Sequence, residues 1–107
     1  MNLLFICSKN RLRSPTAEMI FNDYEEISAV SCGINKDSPT ALSGDLMEWA
    51  DHVFVMEKIH YKKVMQSYSK LLKDTPLTKL GIPDKYEFMQ SELIDILEQR
   101  VNKHLDL

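Results

Sequence analysis

The sequence predicts an α/β fold with three layers, α/β/α, around a central four-stranded parallel sheet in βαβαβαβα order. Three observations predict it. Residues 3–6 (Leu-Leu-Phe-Ile) and 53–56 (Val-Phe-Val-Met) are continuous apolar runs, the pattern of strands buried on both faces. Segments whose apolar residues recur at three- and four-residue spacing alternate with these runs. No internal repeat, linker or low-complexity tract interrupts the 107 residues, a length that fits one domain, 1–107.

The elements follow in order. After the first strand and a polar stretch, Ser14-Pro15 reads as an N-cap followed by proline at the first helical position. Ala17, Ile20, Phe21 and Tyr24 then define an amphipathic helix over 15–24. Residues 27–34 read as a second strand and 35–39 as a turn. A helix over 41–50 is expected from Leu42, Leu46 and Trp49, despite Gly44. The strand at 53–56 is followed by a helix over 59–72 with lysines on its outer face. Pro76 breaks that helix, and 77–82 reads as a weaker fourth strand. The last helix spans 91–104, with Leu93, Ile94, Leu97 and Val101 on one side.

Composition narrows the function classes. With a formal net charge of −3, nothing global recruits nucleic acid or an anionic membrane, so any anion site must be local. Two cysteines, Cys7 and Cys32, are too few for a disulfide framework or a zinc site of their own. His52 and His60 lack metal-ligand spacing and read as structural, so no metal and no cofactor is expected. The chain starts without a basic leader, and its first apolar run is too short for a signal peptide or a bilayer span. A cytoplasmic location is the expectation, where a free thiol stays reduced. Oligomeric state is not legible.

The chemistry concentrates in Cys7-Ser8-Lys9-Asn10-Arg11-Leu12-Arg13-Ser14, between the first strand and the first helix. In a parallel sheet of this kind ligands bind beyond the carboxyl ends of the strands, which is where this loop lies. A loop wrapped onto a helix N-terminus points unpaired backbone N–H groups at one place, and the helix dipole adds positive charge. Lys9, Arg11 and Arg13 add three cations. This is an anion site suited to phosphate. Every neighbouring field favours the thiolate of Cys7, which would lie beneath the phosphorus as a nucleophile. Arg13 has the planar fork that matches two phosphate oxygens, a geometry lysine lacks. Ser14 is placed to hydrogen-bond the sulfur. The bland alternative is a buried cysteine closing an apolar strand, a common role for this residue.

From Phe5-Ile6-Cys7 to Arg13-Ser14-Pro15-Thr16-Ala17-Glu18 the chain resembles the signature of the low-molecular-weight protein tyrosine phosphatases, Cys-x-Gly-Asn-x-Cys-Arg-Ser-Pro-x-Ala-Glu. Ser31-Cys32-Gly33 is similar to the family's Ser-Ala-Gly. Ala50-Asp51-His52-Val53-Phe54-Val55-Met56 is similar to its third strand, and Ile82-Pro83-Asp84-Lys85-Tyr86 to a segment of its compact, bacterial-type branch. The resemblance implies hydrolysis of phosphotyrosine in proteins, or of a small aryl phosphate, through a phosphocysteine on Cys7. Two departures lie inside the loop. Lys9 stands where the family has glycine, which questions the loop's backbone shape, and Leu12 replaces a second cysteine that can protect the nucleophile. Asn10 matches the position that braces the loop.

The resemblance also implies a general acid after the last strand. Asp84 is the best match, although Lys85 stands where proline is usual; Glu87 competes, and Asp74 does so more weakly. Tyr86 and Phe88 either line the mouth of the site and stack on an aromatic leaving group, or pack the last loop on the final helix. Cys32 reads as a small buried residue. Two other function classes stay open: a non-catalytic phosphate- or phosphoprotein-binding module or phosphoryl carrier, and arsenate reduction, for which only Cys32 is at hand as a relay.

Overall fold

A computed structural model describes residues 1–105, and the expected domain limit at 107 lies outside the described residues. The elements are β1 (Asn2–Cys7), α1 (Arg13–Phe21), β2 (Ser28–Gly33), α2 (Gly44–Trp49), β3 (His52–Val55), α3 (Lys58–Leu72), β4 (Leu77–Lys79) and α4 (Ser91–Asn102). The four strands form one parallel sheet in the order β2-β1-β3-β4. The chain moves outward from β1 to β2, then crosses back to β3 and β4. The order therefore reverses beside β1, and a crevice opens at the carboxyl ends of β1 and β3.

Strand alternation sorts the core into two layers. Leu3, Phe5 and Cys7 face α1 and α4, meeting Phe21, Leu93, Leu97 and Val101. Leu4 and Ile6 face α2 and α3, meeting Met47, Val64 and Leu72. This two-sided burial is why β1 and β3 carry unbroken apolar runs. The Phe5 ring stacks between Phe21 at 5.5 Å and Phe54 at 5.4 Å. Burying each such ring contributes about 1.5–3 kcal/mol. No helix among the described residues is long and apolar enough to cross a membrane.

Several boundaries differ from the sequence expectation, each for a local reason. Helix α1 starts at Arg13, with Leu12 in the cap position and no side-chain cap. Ser14 is therefore inside the first turn rather than capping it, and its hydroxyl is used elsewhere. Pro15 is tolerated there because the first helical N–H groups have no intrahelical partner anyway. The helix ends at Phe21 instead of Tyr24, because the Asn22 side chain clasps Ala29 with two hydrogen bonds, at 2.8 and 2.9 Å. Helix α2 loses its first turn because Ala41 bridges to Gly33 in parallel fashion, so Ser43 becomes the cap and accepts from Leu46 N–H at 3.3 Å. Strand β4 is only three residues long, although Leu80 and Ile82 still donate to Val55 and Met56 of the neighbouring chain segment.

Candidate active site

Strand β1 delivers Cys7 to the crevice, and residues 8–12 curl from it into α1. The loop's carbonyls turn away from the crevice: Cys7 O accepts from Ile34 N–H and Ser8 O from Asn35 N–H, both at 3.0 Å. Among the described residues, the N–H groups of residues 9–13 donate to no protein atom. They are the free donors an anion cradle requires.

Asn10 holds this shape. It is the loop residue with left-handed backbone, φ 57°, a conformation asparagine tolerates better than most. Its Nδ2 donates to Ser14 Oγ at 3.0 Å and Ser31 Oγ at 2.9 Å, while its Oδ1 accepts from Thr40 N–H at 3.2 Å. Lys9 is not in the left-handed region, so the missing glycine leaves the turn intact. A different glycine is needed. A Cβ on Gly33 would collide with Ser38 Oγ and approach Ser8 O to 2.7 Å and Asn10 N to 3.0 Å.

Cys7 is buried at 3% exposure, with its sulfur 3.0 Å from Ser14 Oγ. Since Asn10 donates to that hydroxyl, its own proton is free for Cys7 Sγ or for Cys32 O at 3.3 Å. Arg13 is equally buried. Its Nη1 donates to Glu57 Oε2 at 2.7 Å and to Ile82 O at 2.8 Å. The opposite edge, Nε and Nη2, has no hydrogen bond among the described residues, and Asp84 Oδ1 lies 3.8 Å from Nε. Cys7, Ser8, Lys9, Arg11, Leu12, Arg13 and Asp84 line one cavity of about 230 Å³. Asn10 and Ser14 brace it from behind.

Glu57 and His60 were not legible as site residues, yet both hold the loop. Glu57 sits just past the carboxyl end of β3 and fixes Arg13. His60 Nδ1 accepts from Glu57 N–H at 3.0 Å, so the neutral ring carries its proton on Nε2 and donates it to Ser8 Oγ at 2.9 Å. Burial, and secondarily the Arg13 charge, push its pKa from the ordinary 6.5 down to about 4. The only advance signal for Glu57 was an acidic residue directly after a buried strand at the switch point.

That shift has a consequence for acid stability. The unfolded ring takes up a proton near 6.5 and the folded one only near 4, so stability falls as pH drops through this window. His52, hydrogen-bonded to Thr78 Oγ1 and stacked on Phe54, has the same depressed value and the same sign. We expect denaturant midpoints to fall from pH 7 to pH 4.5, and to fall less in His60→Gln. Equal slopes in both proteins would show that His60 is not the group responsible.

The remaining candidates lie elsewhere. Glu87 is outside the cavity, its N–H bound to Gln90 Oε1. Asp74 precedes β4, at the opposite end of the sheet from Cys7. Tyr86 packs on the α1–α4 core layer and borders a separate hollow with Gln90 and Ile96. Phe88 is exposed, and neither Tyr86 nor Phe88 is among the residues lining the Cys7 cavity. Cys32 is buried in the opposite layer from Cys7, and burial pushes its thiol up to about 12. Among the described residues no group of three or more His, Cys, Asp or Glu is arranged to hold a metal ion.

Solved structures share this architecture. The tyrosine phosphatase Wzb from Escherichia coli K30, in complex with phosphate, superposes with a TM-score of 0.72 at 19% identity, over 96% of this chain and 94% of that one. Vibrio vulnificus Wzb with benzylphosphonate gives 0.76 at 21% identity, over 97% and 98%. The YwlE arginine phosphatase from Geobacillus stearothermophilus gives 0.71 at 18% identity, over 96% and 92%. The chain has the fold of these phosphatases. By sequence it matches no family model and no curated protein.

Proposed function

We propose that this chain is a cysteine-dependent phosphomonoester hydrolase acting on an aryl phosphate such as protein phosphotyrosine, through a phosphocysteine on Cys7. One observation carries the reading: the Cys7 sulfur, free loop N–H groups, the open edge of Arg13 and Asp84 converge on a single cavity. The structural neighbours named as phosphatases support it. Residues of the 7–13 loop and Asp84, far apart in the sequence, together build that cavity, which supports treating 1–107 as one domain. Its free thiols suit a reducing, cytoplasmic compartment.

In this mechanism the Cys7 thiolate attacks phosphorus in line, the bond to the leaving oxygen breaks, and Asp84 gives that oxygen its proton. Asp84 then takes a proton from water as the water attacks phosphorus. The P–S bond breaks, releasing inorganic phosphate and the thiolate. Arg13 and the loop N–H groups stabilise the equatorial oxygens in both steps. Glu57 and Ile82 O hold Arg13 in place, and Ser14 steadies the sulfur as it leaves. Arsenate reduction fits less well, because Cys32 faces the other layer and keeps its proton.

Hydrolysis of phosphoarginine is a second reading, favoured because no aromatic side chain among the described residues lines the cavity, and by the neighbour named as an arginine phosphatase. Phosphate release from p-nitrophenyl phosphate and from phosphotyrosine, phosphoserine and phosphoarginine peptides tests both. We expect the aryl substrates to exceed phosphoserine by at least about tenfold in kcat/KM. A faster phosphoarginine peptide would select the second reading. One equivalent of phosphate retained on Cys7 without turnover would make the protein a carrier.

A further inference from the structure

Two cations of the loop are left over once phosphate is accounted for. Arg13 is buried and faces the carboxylates of Glu57 and Asp84. Lys9 and Arg11 are exposed, and neither side chain forms an ion pair or hydrogen bond among the described residues. They border the catalytic cavity on one side and, on the other, a second hollow of about 240 Å³ closed by Asp37. The two hollows thus share a cationic wall. Like charges held side by side repel, and Asp37, the carboxylate that shares their hollow, forms an ion pair with neither among the described residues. Among the described residues no aromatic side chain lines the catalytic cavity.

We propose that Lys9 and Arg11 form a second anion subsite beside the phosphate cradle, so that the preferred substrate carries a further anionic group, carboxylate or phosphate, next to the phosphoryl group cleaved. The inference rests on the phosphatase reading and gives it a substrate class. Because the cations touch both hollows, the second anion lies close to the scissile phosphate. In a peptide this is the reach of one or two residues, at about 3.3–3.6 Å each. The same chemistry is supplied by an acidic residue flanking a phosphorylated residue or by a small phosphate ester with a second acid group. Asp37, lining the second hollow beside Lys9 and Arg11, repels an anion there and weakens the subsite.

The test compares matched pairs of substrates: a phosphotyrosine peptide flanked by Glu or by Gln, and phenyl phosphate with or without a ring carboxylate. At low ionic strength the anionic member of a pair is expected to be favoured about tenfold in kcat/KM, mainly through KM. The preference should shrink between about 20 and 200 mM salt, as the screening length contracts. Lys9→Gln and Arg11→Gln should each move the ratio toward one, and Asp37→Asn should raise it. The ratio is the readout, so a change in overall rate in any variant does not obscure it.

A preference confined to the peptide pair identifies a protein substrate, and one confined to the small pair a metabolite. Equal rates within both pairs would overturn the subsite while the phosphatase stands. A preference that survives Lys9→Gln and Arg11→Gln together would overturn its location. No turnover of any substrate would instead remove the phosphatase reading.

Discussion

Serine in place of Cys7 is expected to lower turnover of p-nitrophenyl phosphate by at least about 10⁴-fold while leaving the fold and the loop in place. A serine hydroxyl is a far weaker nucleophile than a thiolate unless a base takes its proton, and Asp84, the carboxylate of this cavity, serves the leaving oxygen rather than the nucleophile. His60 is committed through both ring nitrogens, to Glu57 N–H and Ser8 Oγ. Ser14 Oγ, 3.0 Å from the sulfur, accepts a hydrogen bond from Asn10 and, as a neutral hydroxyl, is too weakly basic to take the proton. The substitution is nearly isosteric, and Asn10 would still clamp Ser14 and Ser31. Steady-state kinetics should therefore collapse while circular dichroism, thermal unfolding and phosphate binding persist. Undiminished hydrolysis in this variant would remove Cys7 as nucleophile.

Much of this architecture is legible in the sequence, for identifiable reasons. Burial on both faces gives β1 and β3 unbroken apolar runs, a signal that survives any loop conformation. Cys7, Asn10 and Arg13 are legible because one short loop carries them, and spacing encodes their relation. Boundaries fail where one side chain has two plausible partners. Ser14 reads as a helix cap, yet in the fold its hydroxyl turns to Cys7. Ala41 reads as helical, yet it bridges to Gly33 at the sheet edge. Glu57 and His60 escape notice because their partners are remote in sequence: Arg13 is 44 residues away and Ser8 is 52. Only the parallel placement of β3 beside β1 brings those pairs together. Local pattern likewise could not tell that the chain after Asp84 turns Tyr86 into the α1–α4 layer.

Asp84→Asn is expected to slow cleavage of esters with poor leaving groups by about 10²–10⁴-fold, the usual range for a lost general acid. The structure offers a competing role for this carboxylate, since it lies 3.8 Å from Arg13 Nε and could act only by orienting the guanidinium. Leaving-group dependence separates the two. A 2,4-dinitrophenolate departs without a proton, whereas a phenolate or alkoxide does not. If Asp84 donates the proton, the loss in Asp84→Asn should be steep for phenyl phosphate and slight for 2,4-dinitrophenyl phosphate. If it merely positions Arg13, the loss should be uniform, because Arg13 meets the same phosphoryl oxygens in every substrate. Glu57→Gln supplies the comparison. Glu57 also contacts Arg13, at 2.7 Å, but lies outside the cavity lining, so its substitution should slow all leaving groups alike. A steep dependence in Glu57→Gln with a flat one in Asp84→Asn would exchange the two assignments. The side chain of Asp84 is 63% exposed, free to reach the leaving oxygen and then the incoming water. The same exposure would make it a poor clamp for a buried arginine that Glu57 and Ile82 O already hold.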